Sequence, residues 1–361
     1  MKKYNFIILK IEMKNKKHIL SRRSFFGNTA ALAVGFAITG PKVWGAPAYI
    51  PNLLKLNSKI NGVQLGVITY SFRELEDQSA EATLQYVLDC GVNAIELMGG
   101  TAESFIGRPE NKMDRRKYYS LLRKERNKDL KRDGKKELAD LKLQKESYEK
   151  ELEQWRKNRS LDGFIKLREM YNAAGVEIYA FKPDYLLTSK NSDANINYAM
   201  QAGKLLGASH VTIELPRKSE HSLKLGKMGQ KNGIKVAYHG HEKQHSKWWN
   251  VALKQSTYNA MNLDIGHYIA AGNKDVLELL KNKNQHILSM HVKDRQNLTN
   301  GKSNMPFGMG DTPIKEVLKL MRDQKYQFLA TVEYEYKTPE ASSVIQEIKK
   351  SIEYCKNALE S

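Results

Sequence analysis

A single (β/α)8 barrel, the TIM-barrel form of the α/β class, is predicted for this 361-residue chain by three observations. Eight short apolar runs alternate with helical stretches; such alternation specifies a parallel sheet, and eight repeats specify closure. Four of the runs follow a glycine that ends the preceding helix, at Gly91, Gly175, Gly207 and Gly233. Five later runs end in a side chain that binds metal or moves protons, which is how barrel strands deliver chemistry to one mouth.

Taken in order, Asn61-Gly62 turns into a Val/Ile-rich first strand over residues 63–70. Residues 79–90 then place Ala82, Tyr86 and Val87 at helical spacing, and Gly91 stands where a helix-ending glycine belongs. A second strand over 92–97 carries Glu96, which either reaches the mouth or pairs with a nearby base. The rhythm then breaks. Residues 113–158 are dense in Lys, Arg and Glu without proline, and Asp133-Gly134 is expected to divide them into two helices. This insert, bounded at 108–159, emerges after strand two on the catalytic face. It reads either as projecting helices held by i,i+4 charge pairs, or as a partial lid or docking arm for an anionic partner. Alternation resumes with strands over 176–181, 208–214, 234–239, 261–264, 287–291 and 330–333, so the barrel spans 61–358.

The formal charge of +19 suggests nucleic acid until it is located. Residues 1–48 carry +8, the insert carries +8, and the remainder only +3. The charge therefore belongs to appendages, and no nucleic-acid partner is expected. Residues 1–48 read as an export signal: basic residues, Arg22-Arg23 before Phe25-Phe26, a weakly apolar stretch over 29–38, and Ala46-Pro47-Ala48 as a cleavage site. The paired arginines resemble the twin-arginine motif, which implies export of a folded protein to the periplasm. Gly40-Pro41 interrupts the apolar stretch short of a membrane span, so no stable insertion is expected once the signal is removed. Cys90 and Cys355, the only cysteines, fall in neighbouring helices of the closed barrel and are expected as two buried thiols, with a bridge as the alternative.

Alternation along the strands sorts the late motifs by face. Thr212 shares a face with Glu214, Asn262 with Asp264, Ser289 with His291, and Thr331 with Glu333 and Glu335. Carboxylates and imidazoles converging in a barrel mouth are the donors a catalytic divalent ion takes.

Five motifs, Val236-Ala237-Tyr238-His239-Gly240-His241-Glu242, Leu263-Asp264-Ile265-Gly266-His267, His291-Val292-Lys293-Asp294, Phe307-Gly308-Met309-Gly310-Asp311 and Val332-Glu333-Tyr334-Glu335, resemble in order the sugar phosphate isomerase/epimerase family of xylose-isomerase-like barrels. The resemblance covers most of residues 61–358. It implies one divalent metal ion (Mn, Co, Zn or Mg) held by two Glu, one Asp and one His. By position, Asp264 and His291 match the Asp and His, and Glu333 the last Glu, with Glu335 of the same parity competing. Many relatives carry the first Glu on strand five, where this chain has His239; Glu214 on the neighbouring strand is the favoured substitute, with His239 as the alternative ligand. The resemblance further implies an isomerase or epimerase taking a proton from beside the carbonyl of a sugar or keto-sugar through an enediolate. Glu214, Glu333 and His239 are the candidate acid/base groups, and Lys182, His241, His267, Lys293 and Arg295 the candidate substrate contacts. Asp294 is a candidate partner to a ligand, and Trp248-Trp249 either stacks on sugar or packs outside. A lyase or dehydratase acting on 3-keto-glycosides, and a sugar-binding barrel without turnover, are the rivals. A DNA-repair endonuclease of the three-metal type needs about nine ligands and a DNA-binding groove, whereas this chain's basic residues sit mainly in one insert and its signal directs it away from DNA. Self-association is left open.

Overall fold

The computed structural model describes residues 56–361, and the predicted export signal over residues 1–48 lies outside them. Eight parallel strands form a closed barrel: β1 (Val63–Ile68), β2 (Ala94–Met98), β3 (Glu177–Lys182), β4 (His210–Glu214), β5 (Lys235–His239), β6 (Asn259–Asp264), β7 (Ile287–Val292) and β8 (Leu329–Val332). Each pairs with the next, and β8 pairs with β1, so no edge remains. The predicted fold class is the observed one.

Parity divides the strands as the sequence implies. Leu65, Val67, Ile95, Leu97, Val211 and Ile213 face outward into one continuous apolar layer beneath the helices. The bore is polar, and Tyr179 crosses it to meet the Thr331 hydroxyl. Gly66 leaves room for that ring: a Cβ there would lie 2.8 Å from the Ala94 carbonyl oxygen and 3.3 Å from the Tyr179 ring.

Local signals set the helix ends. In α1 (Ala80–Cys90) the Ser79 hydroxyl accepts from the Ala82 N–H, and Gly91 closes the helix at φ 74°, in the left-handed region. Cys90 and Cys355, on α1 and on the C-terminal helix Val344–Glu360, are free and buried. Burial pushes the Cys90 thiol up to about 12.

After β2 a short helix, α2 (Gly99–Phe105), leads to the insert, which forms α3 (Arg115–Arg126) and α4 (Arg132–Asn158). The expected break at Asp133-Gly134 is corrected: the chain turns over residues 127–131, where Lys128 takes φ 63°. Asp133 instead sits in the first turn of α4, favourable beside the positive helix end. Gly134 serves packing: a Cβ there would lie 2.7 Å from Leu130 Cδ1. The insert has its own apolar cluster of Met113, Tyr118, Leu121, Leu138 and Leu141. It docks on the barrel through a buried bidentate ion pair, Arg156 Nε and Nη2 to Glu103 Oε1 and Oε2 at 2.7 and 3.0 Å. Among the described residues no helix is long and apolar enough to cross a membrane.

Candidate active site

Strand register brings the late motifs to one level. Glu214 pairs across with His239, Asp264 with His291, and Asn262 with Ser289. Glu333 follows the end of β8, its N–H donating to the Val292 carbonyl at 3.0 Å. The mouth therefore collects side chains from β4 to β8, as the alternation predicts.

His291 stands at the centre, its Nε2 2.7 Å from Glu96 Oε2 and its Nδ1 2.9 Å from Glu333 Oε2. Burial pulls this imidazole down, but the two carboxylates outweigh it and raise it to about 10. Glu96 is fully buried, and Thr212 donates to its Oε1 at 2.5 Å. Burial pushes Glu96 up, yet the charge and hydrogen bond of His291 bring it down to about 2. Of its two sequence readings, the one that reaches the mouth holds; its partner is His291, not the insert.

Lys293 shares the parity of His291 and turns inward. Its ammonium lies 2.8 Å from Glu333 Oε2, 2.5 Å from Glu335 Oε2 and 3.2 Å from Asp264 Oδ2. Burial disfavours that charge, but the three carboxylates outweigh it and raise the lysine. The same ammonium holds Asp264 and Glu333 below the ordinary carboxylate range against the opposing effect of burial.

His239 faces this group from β5. Its Nδ1 lies 2.9 Å from Asn262 Oδ1, while Asn262 Nδ2 donates to Ser289 Oγ at 2.8 Å. The amide oxygen must therefore accept, which puts the proton on Nδ1 and leaves Nε2 with a lone pair. Burial, opposed by Glu214, keeps His239 below its usual value. Asp264 Oδ1 accepts the His267 N–H at 2.7 Å, whereas Oδ2 is buried with no hydrogen bond; its approach to Lys293 is an ion pair without hydrogen-bond geometry.

Glu214 lies apart, at the rim. Its side chain is 45% exposed, with Lys182 Nζ 3.4 Å from one oxygen and His241 Nδ1 3.1 Å from the other. The hydrogen bond to Glu214 raises His241, while burial of Glu214 is outweighed by His239 and Lys182, which lower its carboxyl. Arg295 is buried and occupied by Glu242 Oε1 at 2.7 Å, the Lys302 carbonyl and His267 Nδ1. Burial brings His267 down to about 3. Of the five candidate substrate contacts, Lys182 and His241 therefore face the opening beside Glu214, while His267, Lys293 and Arg295 are engaged inside the protein.

Asp294 does not support a ligand: its Oδ2 accepts the Gly308 and Gly310 N–H groups at 2.8 and 2.9 Å. A Cβ at Gly310 would lie 2.3 Å from Asp294 Oδ1, so the Phe307-Gly308-Met309-Gly310 motif is a turn folded around a carboxylate. The tryptophans pack. Trp249 is buried and donates to the Tyr238 carbonyl at 2.8 Å, and Trp248 covers Gly240. Asn262 is the residue whose role the motifs did not convey, although its parity with Asp264 placed it in the bore.

The residues fit a divalent metal ion. His239, Asp264 and His291 each bring a ligand atom within 4.8 Å of the others, and Asp264 Oδ2 is the orphaned buried oxygen among them. Glu333 lies against His291, completing a set of imidazole nitrogens and carboxylate oxygens suited to such an ion. Glu96 behind His291 Nε2 is the orienting carboxylate that metal-binding histidines ordinarily have. Glu214, the expected first carboxylate, is not among the grouped ligands, and His239 stands in its place.

Comparison with known proteins agrees with this architecture. Solved structures with the same fold include a sugar phosphate isomerase/epimerase from Parabacteroides distasonis, 16% identical, TM-score 0.50, covering 81% of this chain and 93% of that one. Another is 3-keto-D-glucoside 4-epimerase from E. coli, 10% identical, TM-score 0.54, covering 82% and 99%. A third, the IolI protein with a bound zinc atom, is 15% identical with TM-score 0.52, covering 82% and 98%. No curated protein matches the chain in sequence. The model of the xylose isomerase-like TIM barrel family matches residues 84–358, most of the described barrel, and the chain belongs to that family.

Proposed function

We propose that this chain is a divalent-metal-dependent isomerase or epimerase that moves a proton beside the carbonyl of a sugar or keto-sugar. The observation that carries the reading is the convergence of His239, His291 and Asp264 Oδ2, which accepts no hydrogen bond, at the mouth, with the exposed Glu214–His241 pair beside them. Asp264, His291, Glu333 and His239 would hold the ion. When bound, it polarises the substrate carbonyl and so acidifies the neighbouring C–H. Glu214, an ionised carboxylate in contact with the opening, takes that proton. His241, which its bond to Glu214 holds toward the protonated form, returns one, and Lys182 steadies a substrate oxygen as charge develops on it. Glu96 and Asn262 fix the two imidazoles, so their orientation is set before substrate arrives.

A keto-sugar is favoured over a sugar phosphate, because the cationic side chains nearest the centre, Lys293 and Arg295, are already neutralised by carboxylates. The fold neighbour acting on a 3-keto-D-glucoside is consistent with that choice. Export through the N-terminal signal to the periplasm, where glycosides are met, is part of the same proposal. The test is solvent deuterium uptake into a panel of ketoses and 3-keto-glucosides by metal-loaded protein. Glu214→Gln is expected to keep metal content and lose exchange, whereas His239→Gln is expected to lose metal. Undiminished exchange in Glu214→Gln would refute the assigned base.

A further inference from the structure

A cavity of about 1610 Å³ opens in the described structure apart from the histidines and carboxylates of the centre, which do not line it. It opens between the insert and the ends of β1, β2 and β3, lined by Thr69, Met98, Phe181 and Pro183 at those strand ends. Phe181 and Pro183 are the chain neighbours of Lys182, which reaches Glu214, so the cleft opens at the same end of the barrel as the rim. Its far wall is α4, held in place by the Glu103–Arg156 pair at its base.

Aromatic exposure is concentrated there. Among the described residues three aromatic side chains are exposed, Tyr70 at 39%, Tyr119 at 52% and Tyr185 at 45%, and all three line this one cleft. One comes from the turn after β1, where the Arg73 guanidinium lies 4.6 Å over its ring, one from the insert and one from the loop after β3, so three separate segments bring an exposed tyrosine to the same space. The electron-rich face of such a ring attracts the C–H face of a pyranose, while its hydroxyl and adjoining charged groups such as Arg108 and Glu149 serve the sugar hydroxyls. The volume exceeds the ~300–1,000 Å³ of pockets for drug-sized ligands, which leaves room for more than one ring.

We propose that this cleft is a carbohydrate subsite holding the sugar unit beyond the reacting ring, so that the substrate is a glycoside or oligosaccharide rather than a free monosaccharide. The inference deepens the keto-sugar reading above and rests on it. It also gives the insert a purpose: α4 and Tyr119 supply a wall that the barrel alone lacks.

The test is calorimetric binding of 3-keto-glucose, 3-keto-maltose and 3-keto-cellobiose to the mature, metal-loaded protein. At least one disaccharide is expected to bind about tenfold more tightly than the monosaccharide, the size of effect that one or two aromatic contacts supply. Tyr119→Ala/Tyr185→Ala should bring the disaccharide to the monosaccharide's affinity. Tyr119→Phe/Tyr185→Phe, which keeps both rings, should retain the preference and shows that the first variant's loss is not misfolding. Equal affinities in the wild type, or a preference that survives the alanine pair, overturns the subsite. Deuterium exchange on 3-keto-glucose, run in parallel, separates the two proposals. Exchange without a disaccharide preference refutes the subsite alone, and a preference without exchange on any of the three sugars refutes the reaction while supporting the subsite.

Discussion

The ion pair that docks the insert makes an asymmetric prediction. Glu103 and Arg156 are 4% and 5% exposed, and removing one partner of such a pair costs about 3–5 kcal/mol because the other charge is left buried. The two removals are not equivalent. Glu103→Leu leaves Arg156 without a carboxylate among the described residues, only the Tyr198 ring at 5.9 Å and Tyr185 nearby, so the cost should lie at the upper end of that range. Arg156→Met leaves Glu103 with a second base, Arg108 Nη1 at 3.7 Å and 30% exposed, which can close on it. A pair of that exposed kind recovers at most about 1 kcal/mol, so Arg156→Met should be the milder change by about that amount. The double replacement leaves no unpaired charge and should cost far less than the sum. Because the insert has its own apolar cluster, the loss should appear first as undocking of α3 and α4 rather than as unfolding of the barrel. Trypsin reads this directly, since the insert holds 19 Lys and Arg. Cleavage within residues 108–159 should accelerate about a hundredfold or more in Glu103→Leu, in step with the open population. Urea unfolding of the barrel should move less. Equal costs for the two single variants, or a double variant equal to their sum, would refute the reasoning.

Asn262→Ala removes the acceptor that fixes the His239 tautomer; metal affinity should fall about 10–100-fold in a titration, and unchanged affinity would exclude the orienting role. Gly266→Ala places a Cβ 2.3 Å from Lys293 Cγ and 2.8 Å from its carbonyl oxygen, so thermal unfolding should show a loss of about 1–3 kcal/mol. His210 is buried between Ser209 and Ser289, and burial brings it from 6.5 down to about 4. The unfolded chain binds this proton first, so stability is complete above pH 6.5 and falls as the pH drops toward 4, by at most about 3 kcal/mol. That acid-side loss should shrink in His210→Asn relative to wild type. Cys90 works at the other end: its raised value means the folded state keeps a proton the unfolded chain gives up, so stability falls as pH rises from 9 toward 12, and Cys90→Ala should flatten that limb. Arg22→Lys/Arg23→Lys should leave the protein in the cytoplasmic fraction, and normal export of that variant would exclude the twin-arginine route.

What could be read from the sequence was what a period of two and a helix-ending glycine determine locally. The four glycines before strands all take positive φ, from 67° to 83°, and the parity of Asn262 with Asp264 and of Ser289 with His291 is the parity of the bore. What could not be read depends on partners far along the chain. Glu96 meets His291 across 195 residues, and nothing near Glu96 distinguishes an inward carboxylate from one paired with the insert. Glu214 and His239 are register neighbours at one level, so which turns inward is decided by the charges already present. His291, Lys293 and Arg295 bring positive charge into the bore, five carboxylates (Glu96, Glu242, Asp264, Glu333 and Glu335) compensate it, and Glu214 is left to Lys182 and His241 at the rim. The charged insert concealed its one structural pair for a similar reason: among 19 bases, only burial singles out Arg156. The mouth thus divides by strand. From β5 to β8, joined by Glu96 of β2, the side chains neutralise one another and pre-form a centre, while the segments that follow β1 to β3 leave space. A barrel built for a single small sugar has little use for that second half. The insert encloses it rather than filling it, and the exposed aromatic rings of the described chain face into it.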